Sequence, residues 1–163
     1  MKRLTGKTIS GGIATGKIVF LKKSEPSVTK ANVENITEEF RRFDAAKKQV
    51  SAKIGEVFNK ALESVGESDA EIFNAHSMIL EDEDYNESVI NLIKTQKLNA
   101  EYAVKVTGES FQKLFASMED EAVQLKAIDV KDVTDQLIAA LMNVNEDSGL
   151  KSTKGIIMAA EIT

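Results

Sequence analysis

The sequence predicts a mainly α protein, in which a helical bundle is inserted into a sheet-containing unit with short strands at both chain ends. Three observations carry this reading. Apolar residues recur at three- and four-residue spacing from about Val33 to Met142, the period of helices with one buried side. The flanks instead hold short apolar runs, Lys17–Lys22 (KIVFLK) and Lys154–Ile162 (KGIIMAAEI). Strands separated by a whole bundle belong to a sheet domain that the bundle interrupts. The expected divisions are 1–24 (first strands), 25–145 (helical domain) and 146–163 (returning strand).

In chain order, Gly6, Gly11, Gly12 and Gly16 punctuate the first segment, where Lys7–Ser10 can form one strand and Lys17–Lys22 a better one. The stretch GGIATGK has the glycine and lysine spacing of a phosphate-binding loop, but Ile18 stands where that loop needs a hydroxyl. A strand also follows it, whereas the phosphate site needs a helix N-terminus. A glycine turn between strands fits better. Ser24–Lys30 is a linker holding the only proline, Pro26.

A long helix is expected from about Val33 to Val65, with Val33, Ile36, Phe40, Phe43, Val50, Ile54, Val57 and Val65 on its packing stripe. Its other face carries Arg41, Arg42, Lys47, Lys48 and Lys53 and is expected to be solvated. Ser68–Leu80 reads as a short helix, with Ser68 and Glu71 spaced as a capping box. Ile72, His76, Ile79 and Leu80 share one side of it. Asp82 or Asp84 can cap the next helix, which carries Val89, Ile90, Leu92 and Ile93. Asn99 then caps a helix through Tyr102, Val106, Phe111, Leu114 and Phe115. Residues 120–142 form the last, with Val123, Ile128, Val130, Val133, Leu137 and Leu141 inward. Gly149 breaks the pattern before the final strand, which ends at Thr163. No helix follows to cover that strand, so Thr163 is expected to be a stopping point within a longer protein.

Charge is uneven. The chain of 163 residues has net charge −5, yet Ala61–Ile90 holds nine carboxylates and no Lys or Arg. A local negative field enclosing apolar residues favours a basic partner, while the same run also fits a solvated helix joint. The acidic balance argues against nucleic acid as the main partner. Without cysteine there is neither a disulfide nor a thiolate metal site. No apolar run approaches the ~20 residues of a membrane span, and no signal-peptide core is present; the cytoplasm is the expected compartment.

Tests for chemistry fail one by one. A di-metal bundle needs Glu-x-x-His pairs, but Phe73 stands three residues before His76, the single histidine. A calcium loop would need glycine at Glu87 and glutamate at Ile93. No serine sits in a Gly-x-Ser-x-Gly elbow. A lone histidine on an apolar helix face is more often structural than catalytic. The chemistry of the residues alone is that of a binding module.

Four stretches, in order, then carry a family resemblance. SGGIATGK resembles Ser-Pro-Gly-Ile-Ala-x-Gly-Lys, and AEIFNAHSMILEDED resembles Glu-Ala-Ile-Phe-x-x-His-x-Met-Leu-Leu-Glu-Asp-Glu-Glu. AIDVKDV is similar to Ala-Ala-Asp-Val-Arg-Asp-Ile, and IIMAAEIT to Ile-Leu-Val-Ala-x-Asp-Leu-Thr-Pro. These are motifs of the Enzyme I family, the phosphoenolpyruvate–protein phosphotransferases of bacterial sugar uptake. The resemblance implies a helical domain that docks the phosphocarrier HPr, inserted into an α/β phosphohistidine domain that is cut short here. The family's active-site histidine lies in a Gly-Gly-x-Thr-Ser-His motif, which the resemblance puts beyond Thr163. It thus implies no catalytic residue within the chain, and His76 is not that histidine.

By position, the resemblance places Glu67, His76, Met78, Ile79, Glu83, Asp84 and Tyr85 on the HPr-facing surface, with Lys126 where the family has arginine. Met78, Ile79 and Tyr85 would form an apolar centre, the carboxylates would pair with basic residues of the carrier, and His76 would donate or accept at the edge. Ser68, Asp69, Tyr85 and Gly11 depart from the family pattern. An Enzyme I-like domain serving a nitrogen-related or glycerone kinase carrier, a more distant dikinase relative and a non-catalytic helical adaptor are the alternatives. No cofactor is implied for this chain; magnesium belongs to the parent's barrel. That barrel would also make the parent a homodimer and leave this fragment a monomer.

Overall fold

The computed structural model describes residues 11–13, 15–21, 27–64, 67–144 and 156–159. The chain divides into two compact units, one of residues 26–146 and one of residues 1–25 with 147–163. In the second, β1 (Ile18–Leu21) and β2 (Ile156–Ala159) pair in parallel, Ile18 opposite Ile156 and Leu21 opposite Ala159. Parallel strands need a long crossover, and here the crossover is the whole helical unit. Ile18, Ile156 and Met158 stay exposed. The first strand expected at Lys7–Ser10 and the break at Gly149 lie outside the described residues. So does the expected continuation of the returning strand: β2 is described only to Ala159, and Ile162 and Thr163 fall beyond it.

The helical unit runs α1 (Ile36–Ser64), α2 (Glu67–Glu81), α3 (Glu83–Gln96), α4 (Ala100–Ala116) and α5 (Glu121–Leu141). One core joins them: Phe43, Val50 and Ile54 from α1, Leu80 from α2, Val89 and Ile93 from α3, Val104 from α4, and Val130, Val133 and Leu137 from α5. The three- and four-residue spacing of these side chains is what buries them together.

Local chemistry sets the boundaries. α1 begins at Ile36 rather than Val33, because the Val33 N–H donates to the Lys97 carbonyl at 2.8 Å and residues 31–33 pair with the segment after α3. Asn35 then receives the Glu38 N–H at 3.1 Å, a side-chain cap. Asp82 caps α3 by accepting from the Tyr85 N–H at 2.8 Å, and Asp120 caps α5 from the Ala122 N–H at 2.8 Å. The expected Ser68 cap is corrected: α2 already includes Glu67, so Ser68 has helical backbone where a cap residue does not. Asn99 occupies its predicted position but does not cap α4 with its side chain. That amide instead holds the linker, accepting from the Ala31 N–H at 2.9 Å and donating to the Thr29 carbonyl at 3.2 Å.

Two packing features lie outside what periodicity can show. Gly108 lets α4 approach α5 closely: a Cβ there would lie 2.3 Å from the Thr134 hydroxyl oxygen. Ile128, expected inward, is 56% exposed, because the buried stripe of α5 runs through Val130, Val133 and Leu137, well round the helix from it.

Candidate docking surface

The acidic run Glu81–Asp84 forms the joint between α2 and α3, and all four residues are exposed. A single residue, Asp82, separates the helices, and its carboxylate is committed to the cap. Glu83 and Asp84 stand in the first turn of α3, where the positive end of the helix dipole favours carboxylates. On α2, Met78 is 72% exposed while Ile79 is half-buried against the core. A thioether left so far in water contributes little to folding and remains available for burial by a partner.

The α4–α5 hairpin extends this pattern. Leu114, Met118, Leu125 and Ile128 are exposed on either side of its turn, beside the exposed carboxylates Glu119, Asp120 and Glu121. Lys126 is exposed among them. Because α2 packs on α5, the bundle brings two apolar, acid-rimmed segments onto adjoining helices. The family resemblance marks Lys126 alone in this second segment. Its four apolar residues look like a helix stripe in sequence, and periodicity does not show which of them the core omits.

Tyr85 is corrected: it is 1% exposed and cannot be part of a surface. Its hydroxyl lies 3.0 Å from the Thr134 hydroxyl, and its ring meets Phe111 edge-on at 5.4 Å. Burial pushes the phenol up to about 12, against the smaller opposing effect of the Thr134 hydrogen bond. His76 is also buried, with Nε2 3.6 Å from Asp129 Oδ1 on α5. It lies beneath the surface rather than at its edge. The side chain of Glu67 lies outside the described residues.

The basic face of α1 divides. Arg41 pairs with Glu38 and Lys48 with Asp44, both in solvent. Arg42 is not merely solvated as expected; it bonds to Glu39 at 2.9 Å, to Glu101, and to the Leu141 carbonyl at 3.2 Å. Glu39 in turn accepts from the Ala100 N–H at 2.7 Å and so caps α4 from a distance. Burial acts to raise the Glu101 carboxyl, but the hydrogen bond and charge of Arg42 outweigh it and hold the group below the usual range. Arg42 is raised, mainly by Glu101. This cluster locks α1, α4 and α5 together and offers nothing to a ligand. Among the described residues no three His, Asp or Glu side chains converge to hold a metal ion. No described helix is long and apolar enough to cross a membrane.

Comparison with known proteins gives the chain's family and fold. The family model for the N-terminal part of PEP-utilising enzymes matches residues 5–126. The phosphoenolpyruvate-protein phosphotransferase of Bacillus subtilis (strain 168) is 32% identical over 164 residues, 100% of this chain and 29% of that protein. The protein of the same description from Listeria monocytogenes is 31% identical over 99% of this chain and 28% of its own length. The chain therefore spans under a third of these curated relatives. A solution structure of Enzyme I superposes with TM-score 0.75 at 29% identity, covering 91% of this chain and 61% of that one. The N-terminal domain of Enzyme 1 - Nitrogen, at 20% identity and TM-score 0.74 over 90% of this chain and 60% of that one, shares the fold.

Proposed function

The chain belongs to the family of PEP-utilising enzymes, in their N-terminal part, and from that premise we propose that its helical unit docks a phosphocarrier protein of the HPr kind. The observation that carries the proposal is Met78, 72% exposed and the most exposed large apolar side chain among the described residues of the bundle. It follows His76 in the family motif, and two residues, Ile79 and Leu80, separate it from the acidic run. With Leu114, Met118, Leu125 and Ile128 it supplies an apolar centre, while Glu81, Glu83, Asp84, Glu119 and Glu121 supply a rim suited to Lys and Arg of a basic carrier. The residues that bind and orient the carrier would thus sit apart from the phosphoryl chemistry. In the parent protein, phosphoenolpyruvate would phosphorylate a histidine beyond Thr163, outside this chain, and docking would bring the carrier to it. Such holding works by proximity, turning an encounter between two proteins into transfer within one complex.

Two measurements test this. Titration of HPr into the chain by calorimetry should give binding that weakens as salt rises, since the rim charges are screened. Leu125→Ala and Met78→Ala should each lower affinity by about 1–2 kcal/mol as central apolar contacts. No binding at low salt would refute the docking reading. Incubation with labelled phosphoenolpyruvate and magnesium should leave the isolated chain unlabelled. Acid-labile label on His76 would overturn its assignment as a non-catalytic residue.

A further inference from the structure

We propose that Met78 is a reversible oxidation site, at which hydrogen peroxide converts the thioether to a sulfoxide and so releases a partner docked on α2. The oxidation itself follows from exposure, whereas its consequence for binding rests on the docking reading. Met78 is 72% exposed, against 39% for Met118 and 36% for Met142. On α2 it shares the water-facing side with Asn74, four positions before it, and Glu81, three after, both exposed. His76 and Leu80, on the opposite side, are buried. An apolar side chain is thus set on the wet side of a helix whose core contacts come from other residues. Its sulfur can be altered without disturbing the core.

The chemistry needs access and an oxidant, and no titrating neighbour. A sulfur lone pair attacks one oxygen of the peroxide and the O–O bond breaks. The proton on the transferred oxygen passes to the departing hydroxide, which leaves as water. Sulfur is oxidised by two electrons and the peroxide is reduced by two. The chain has no cysteine, so no thiolate within it competes for the oxidant. A neutral oxidant suits the surroundings. Ala61–Ile90 holds nine carboxylates and no Lys or Arg, and Glu81, Glu83 and Asp84 among them are exposed. That field repels anionic oxidants and does not act on uncharged hydrogen peroxide. Thiol-dependent sulfoxide reductases, one for each sulfoxide epimer, reverse the step: two thiols become a disulfide and the oxygen leaves as water.

Oxidation replaces a flexible apolar side chain by a polar, chiral one. In water the sulfoxide oxygen stays hydrated and the fold is left as it was. At the centre of a docked interface the same oxygen loses that hydration and opposes binding. The other exposed thioethers of the bundle give the contrast. Met118 lies at the α4–α5 turn, where its carbonyl accepts from Gln124 Nε2 at 2.7 Å. Met142 ends α5 next to Leu141, whose carbonyl receives Arg42, and so lies at the far end of that helix from Leu125. Its oxidation should leave docking unchanged.

Timed treatment of the chain with hydrogen peroxide, followed by peptide mass spectrometry, reads the site. Met78 should gain its oxygen about twofold or more faster than Met142, as greater exposure requires. Titration with HPr before and after treatment reads the consequence. Affinity should fall about fivefold to thirtyfold, the size of a central apolar contact, and return after the two sulfoxide reductases act. The thermal midpoint should not move. Met78→Leu, a swap that keeps volume and removes the sulfur, should bind HPr like the parent and keep its affinity through the treatment. Met142→Leu should lose affinity as the parent does. Equal oxidation of Met78 and Met142, or a loss of affinity that persists in Met78→Leu, would overturn the proposal. An untreated chain that does not bind HPr would instead sink the docking reading, while the oxidation rates would still decide whether Met78 is the site.

Discussion

Where α4 begins and α5 finishes, Arg42 is shared among Glu39, Glu101 and the Leu141 carbonyl, and Glu39 reaches on to cap α4. At the opposite end of the same hairpin, between α4 and α5, Glu119, Asp120 and Glu121 lie in solvent beside Leu114, Met118 and Leu125. Both ends are rich in charge. At the first, each carboxylate is partly desolvated and satisfied by a fixed partner, so the charges hold helices together. At the second, the acids keep their hydration and the apolar side chains are left uncovered. What separates a structural charge from a solvated one is burial with a committed partner, a property of the fold rather than of residue type.

The sharpest way to break this comparison is at the closed end. Arg42→Ala leaves Glu39 and Glu101 without their cation, and should cost about 2–4 kcal/mol, toward the low side of buried pairs because Arg42 keeps some exposure. Denaturant unfolding measures it; a loss no larger than for Arg41→Ala would put the two arginines in one class. Next in size is Gly108→Ala, whose methyl would collide with Thr134 and force α4 from α5, at about 1–3 kcal/mol. Thermal unfolding checks it.

Tyr85→Phe should cost about 1–2 kcal/mol, since the Thr134 hydroxyl loses its partner in the core. Because Tyr85 is buried, HPr affinity should stay unchanged, whereas a surface tyrosine would show the reverse balance. Acid separates the ends too. The folded Glu101 carboxyl lies below its ordinary value, so its stabilisation is present above the unfolded value of about 4.3 and is lost as pH falls through the lower folded value. Glu101→Gln should flatten that acid-side loss in a pH series of unfolding midpoints. The smallest effect on stability is expected at the open end: Met78→Ala should change it by less than about 0.5 kcal/mol.

Much of the bundle is legible in the sequence because helix periodicity and caps are local. The Asp82 cap, the stripe through Val89 and Ile93, and the strand pair at Ile18 and Ile156 rest on neighbours in sequence or on short apolar runs. Three of the misreadings share one cause. Arg42, Tyr85 and Ile128 each depend on a helix distant in the chain: Arg42 on Glu101, Tyr85 on Thr134, and Ile128 on which side of α5 the other helices cover. Asn99 sits at the expected helix start, but its side chain serves the linker, again through residues far away in sequence. Of the candidate surface, the family motif locates α2 and the acidic joint, whereas the exposure of Leu114, Met118 and Leu125 emerges only from packing.

The most direct test of the division between the ends is a map of backbone amide shifts in the labelled chain as unlabelled HPr is added. The account predicts perturbations over 74–84 and 114–128, with 39–42 and 97–101 unmoved. Shifts concentrated around Arg42 and Glu101, with Met78 and Leu125 silent, would contradict it.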